Sequence, residues 1–176
     1  MDKQSQQRTT FIKDYSDFNQ IEKALFNLTH NKNFISQFSI IGKLSDENYP
    51  TQRFTNGRYL IEDRLKKVLD ASIHYGKVVN SEIGTLIITG FLASYFLQEV
   101  EGRTLGSLSE GPYGIIRGLG FSNEETVYFI KAVDAGHFLL LIRDYQYRLN
   151  ELKKTLKTQR VHNIFRIVYK AYYSFR

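Results

Sequence analysis

The sequence predicts an α+β fold, a ferredoxin-like two-layer sandwich with an inserted helical or hairpin segment. Three observations carry this expectation. Residues 9–41 read strand, helix, strand. Residues 123–173 read helix, strand, helix, strand, so two strand-helix-strand halves flank a long middle. A capped helix is also followed, after one glycine, by the apolar run His137 to Ile142, and neither element is stable without a shared sheet.

The elements follow in order. Residues 9–13 suggest a short strand, punctuated by Asp14 to Asp17. Ser16 or Asp17 can cap the next helix. Phe18, Ile21, Leu25 and Leu28 form one apolar stripe over residues 17–30. Residues 34–41 alternate as a strand. Residues 42–57 read as a loop, and 58–75 as a helix that Gly76 ends. In that helix Glu62 and Asp63 stand four residues before Lys66 and Lys67, a supportive spacing on an exposed face.

Residues 83–97 are strongly apolar but shorter than the roughly 20 residues that cross a bilayer. A buried hairpin or a core helix is favoured there. Ser122 and Glu125 have capping-box spacing, and Glu124 suits the positive end of a helix. Val127 and Ile130 are expected to face the core of that helix over 123–135, and Gly136 to end it. Residues 138–143 then read as a buried strand. Leu149, Leu152 and Leu156 mark a helix over 145–158, with Glu151, Lys153, Lys154 and Lys157 on its polar side. Residues 161–173 alternate as a last strand. The whole is expected to be one domain over 9–176, with an insertion at about 43–110 and a flexible tail over 1–8.

The chain has no cysteine, which excludes disulfides, thiolate metal sites and cysteine nucleophiles. The start of the chain lacks the apolar core of a secretory signal. Its formal charge of +6 is uneven: from Arg143 onward nine Lys or Arg face two acids, whereas the first 142 residues carry fifteen basic and sixteen acidic side chains. Such asymmetry attracts nucleic acid, anionic membranes or acidic proteins.

Local motifs favour structure over chemistry. His30, His74, His137 and His162 form no HxxxH or HxH pattern, so no metal site is expected. Asp14, Asp17, Glu124, Glu125, Asp134 and Asp144 could supply carboxylates, but most sit at helix starts or turns. Ser109 lies outside GxSxG. Gly111 to Gly118 lacks the Lys-Ser or Lys-Thr of a P-loop and the GxGxxG of a dinucleotide site, so a structural turn is favoured. No catalytic residue and no cofactor are expected.

The stretches GTLIITG, GIIRGLGFSNEETVYFIKAVDAGHFLLLIRD and LNELKKTL resemble the general stress protein family with heat-induced YflT-like domains. The specific part is residues 110–143: Gly118-Leu119-Gly120, then Ser122 to Glu125, then Gly136 before the apolar strand. The resemblance implies a cytoplasmic, stress-associated protein without a defined enzyme mechanism. No catalytic residue transfers.

The leading function is therefore a non-enzymatic regulatory protein acting through protein–protein association or self-association, with Gly84, Gly90, Gly102 and Gly106 as candidate interface positions. The second reading is a nucleic-acid-binding module using Arg117, Lys153, Lys154, Lys157, Arg160, Arg166 and Lys170, with tyrosines to stack on bases. A small-molecule enzyme ranks third, and membrane insertion is not expected.

Overall fold

The computed structural model describes residues 8–29, 37–44, 64 and 73–157. The segment 161–173, most of 58–75 and the tail before Arg8 lie outside them.

The elements are β1 (Arg8–Tyr15), α1 (Phe18–Thr29), β2 (Gln37–Lys43), β3 (Tyr75–Asn80), β4 (Gly84–Gly90), α2 (Ala93–Leu97), β5 (Glu99–Val100), β6 (Arg103–Thr104), α3 (Gly111–Gly118), α4 (Asn123–Asp134), β7 (Phe138–Tyr145) and α5 (Gln146–Lys157). β5 and β6 form a small hairpin. The main sheet is antiparallel with strand order β1-β7-β2-β4-β3. Because β7 runs antiparallel to both β1 and β2, those two are parallel to each other and joined through α1.

The chain is thus an α+β sandwich, but with helices on both faces of the sheet, three layers where two were expected. On one face α1 (Ile21, Leu25, Leu28) and α5 (Leu149, Leu152, Leu156) pack over Ile40, Ile87, Leu140 and Ile142. On the other, Leu92, Phe96, Ile116, Phe129 and Val133 pack over Ile12, Ile41, Leu86, Ile88, Leu139 and Leu141. The reason is compositional. β7 and β4 are apolar at both parities, so a single helical layer would leave half of their side chains in water.

Local chemistry sets the ends. Asp17 Oδ1 accepts from Gln20 N at 3.1 Å and caps α1. Ser122 and Glu125 form the reciprocal capping box of α4. That helix ends in a Schellman motif: His137 N donates to Ala132 O, Gly136 N to Val133 O, and Gly136 has φ 88°. The buried stripe of α4 is Thr126, Phe129, Ala132 and Val133, and Ile130 packs against the same core as expected, whereas Val127 is 37% exposed, which corrects its expected placement. Thr126 can be buried because its hydroxyl donates to Ser122 O at 2.8 Å.

The middle departs further from the sequence expectation. Gly76 lies inside β3 instead of ending a helix. The apolar stretch 83–97 divides into strand β4 and helix α2 at Gly90, whose φ is 76° and where a Cβ would lie 2.0 Å from Phe38 O. Gly111 to Gly118 is the helix α3, not a turn. Pro112 fits its first turn, where no amide partner is lost.

Candidate functional site: a glycine-walled cleft beside two arginines

A cleft of about 580 Å3 opens between α3 and the Arg8 end of β1 and β7. Its floor is apolar, built from Leu92, Leu105, Leu108, Ile115 and Leu119, with Tyr95 at the side. One wall is α3 along its whole length, from Glu110 to Leu119. The loop that launches α3 is fixed by Asn80, which is 1% exposed. Its amide Nδ2 donates to Gly106 O and Leu108 O, while its Oδ1 accepts from the amides of Glu82 and Ile83. A buried side chain with both ends satisfied specifies one loop position.

The glycines of α3 have two different jobs. At Gly111 a Cβ would sit 1.8 Å from Leu105 O, so this glycine permits close backbone approach. At Gly114 and Gly118 a Cβ would meet nothing within 4 Å. Both line the cleft, where the missing side chains leave room against bare helix backbone.

The opposite wall is polar. Alternation along β1 puts Arg8, Thr10 and Ile12 on one face, and Ile12 belongs to the core beneath α3 and α4. Arg143 pairs directly with Thr10, and Arg8 with Tyr145. The two arginines are therefore diagonal neighbours on one face, at a separation typically of roughly 7–8 Å. Arg8 Cζ lies 5.4 Å from the centre of the Tyr145 ring. Among the described residues, neither guanidinium is in an ion pair.

At the other end of the same two strands the polar groups are paired. His137 Nδ1 lies 3.1 Å from Asp14 Oδ2. The Tyr128 hydroxyl has its pKa pushed up to about 12, first by burial and then by the nearby Asp14 carboxylate. Asp14 is six residues along β1 from Arg8, about 20 Å at strand rise. The Asp14–His137 pair is therefore remote from the cleft.

The sequence-predicted site residues are dispersed. Arg117 donates through Nη1 to Phe121 O and closes the loop after α3. Lys153 lies over the Phe11 ring, 5.2 Å from its centre, on the α1 and α5 face. Lys154 is an exposed residue of α5, and Lys157 is the last residue of that helix. Arg160, Arg166 and Lys170 lie outside the described residues, as do His30 and His162. Gly84 and Gly102 have positive φ, at the start of β4 and between β5 and β6. Gly106 faces the Phe96 ring, and Gly90 the backbone of β2. Gly90 and Gly106 are thus occupied by internal packing.

Arg8, Thr10, Glu110 and Arg143 were not singled out from sequence. The signal was strand parity at residues 8, 10 and 12 and at 139, 141 and 143, but it becomes a site only once the β1–β7 register is known.

Among the described residues no group of three His, Cys, Asp or Glu could hold a metal, and no helix is long and apolar enough to cross a membrane. No family model, curated protein or solved structure matches this chain.

Proposed function

We propose that this chain is a non-enzymatic regulatory module that works by association, and that the cleft beside α3 is its working surface. The observation that carries the reading is the cleft's composition: an apolar floor, a helix wall free of side chains at Gly114 and Gly118, and two arginines without ion-pair partners among the described residues. Its volume falls in the usual range for small-ligand sites, roughly 300–1,000 Å3. These groups hold a ligand, whereas the histidine–carboxylate pair that could move a proton lies about 20 Å away by strand rise. A stress-associated, cytoplasmic setting belongs to the same proposal and rests on the family resemblance alone.

Anilinonaphthalene sulfonate, an aromatic anion whose fluorescence rises in apolar sites, tests the surface. The unsubstituted chain is expected to enhance it, and Gly118→Leu or Gly114→Leu to remove the enhancement with an unchanged circular dichroism spectrum. Full enhancement in both variants would refute the assignment.

The ferredoxin-like arrangement is part of this reading. The parallel pair β1 and β2 split by β7, with α1 and α5 on one face, supports it. A complete version needs one more strand, antiparallel to β1 on its side away from β7. Slow exchange of the β1 amides that point away from β7 is the expected result, and fast exchange counts against it.

A further inference from the structure

We infer that the cleft takes a single-chain monocarboxylate, an unbranched apolar tail with one anionic head. This rests on the assignment of the cleft as the working surface, and it commits that surface to one ligand class.

The head group follows from the two arginines. Like charges on neighbouring strands repel, so Arg8 and Arg143 destabilise each other in the free protein. An anion between them removes that repulsion. A guanidinium fork matches a carboxylate bidentately, and the Thr10 hydroxyl, opposite Arg143 on the same face, offers a further donor.

The number of charges follows from Glu110. It lines the same cleft, so Arg8, Arg143 and Glu110 leave the lining with one net positive charge. A carboxylate neutralises that charge. A phosphate monoester brings about −1.5 to −2 and would leave excess negative charge facing Glu110.

The tail follows from the long wall. From Glu110 to Leu119 the α3 wall spans ten residues, roughly 14 Å over nine steps at helix rise. At Gly114 and Gly118 no Cβ stands between a ligand and the helix backbone, so a narrow methylene chain can lie against it. Branched or aromatic bodies would use the floor but not this wall.

Calorimetric titration of the full chain with decanoate tests the inference, with decylamine and decyl phosphate as head-group controls and phosphatidylglycerol vesicles as the lipid-surface control. Saturable one-site binding of decanoate is expected, with decyl phosphate weaker and decylamine not binding. Arg143→Gln should weaken decanoate binding roughly ten- to hundredfold, as expected for one charge-assisted hydrogen-bonding partner. Arg8→Gln should do the same, and because Arg8 is the exposed first residue of β1 that variant keeps the fold. The inference is overturned if decanoate does not bind, if decylamine binds equally, if decyl phosphate binds more tightly, or if Arg8→Gln changes nothing. Binding to vesicles without binding of free decanoate overturns it in favour of a membrane surface. If anilinonaphthalene sulfonate binds and Gly118→Leu blocks it while decanoate fails, this inference falls and the proposed working surface stands.

Discussion

The two ends of the β1–β7 ribbon are built from the same strands but treat charge in opposite ways. At one end Asp14 is paired with His137 Nδ1 at 3.1 Å, and its charge acts on the Tyr128 hydroxyl. At the other, Arg8 and Arg143 share a face with no ion-pair partner among the described residues and line an apolar cleft. A satisfied charge contributes to the fold. A charge left without a partner beside apolar surface contributes little to it and is free to select a ligand. Substitutions at the two ends should therefore separate stability from binding.

The largest stability loss is expected inside the cleft wall. Gly111→Ala places a methyl 1.8 Å from Leu105 O, a backbone atom that cannot rotate away. A loss of about 3 kcal/mol in urea denaturation is expected, the upper range for overpacking. Gly114→Ala, one turn along the same helix, should instead stabilise by up to about 1 kcal/mol, because alanine is the better helix former and the space is open. A loss at both positions would show that the cleft wall is not open at Gly114.

At the paired end, Asp14→Ala leaves His137 without its carboxylate. A loss of about 2 kcal/mol is expected, in line with a hydrogen bond to a charged group. A double-mutant cycle with His137→Ala should show coupling of at least about 0.5 kcal/mol. At the unpaired end, Arg8→Gln should change stability by no more than about 0.5 kcal/mol while it weakens ligand binding. Equal stability losses for Asp14→Ala and Arg8→Gln would erase the contrast between the two ends.

What could be read from sequence was what short-range chemistry decides. The capping box at Ser122 and Glu125, the stop at Gly136, and the stripes of α1 and α5 depend on residues three or four apart. These features all stand in the structure. On α4, Ile130 packs against the core as its spacing predicts, whereas Val127 is exposed and Thr126, polar by composition, is buried through its bond to Ser122 O. The segment Gly111 to Gly118 reads as a turn by propensity. Tertiary packing overrides that preference, since Gly111 touches Leu105 backbone and Ile116 is buried under the sheet. The cleft was illegible for a different reason. Arg8 and Arg143 are brought together by strand register across almost the whole chain, whereas the sequence drew attention to the lysines of the C-terminal part.

The smallest expected effect concerns pH at the paired end. Tyrosine in an unfolded chain titrates near pH 10, whereas Tyr128 in the fold is pushed up to about 12. Between those values the folded state keeps a proton that the unfolded state has lost. Stability from this group is therefore full below about pH 10 and falls as pH rises toward about 12. Tyr15 is also pushed up, chiefly by burial, and acts in the same direction. Lys13 is pushed down, chiefly by burial, so it acts in the opposite direction over the range below its ordinary value of 10.5. Tyr128→Phe should accordingly reduce, but not abolish, the fall in urea midpoint between pH 10 and 12. An unchanged alkaline profile in that variant would mean that neither burial nor the Asp14 charge holds the proton on the Tyr128 hydroxyl in the fold.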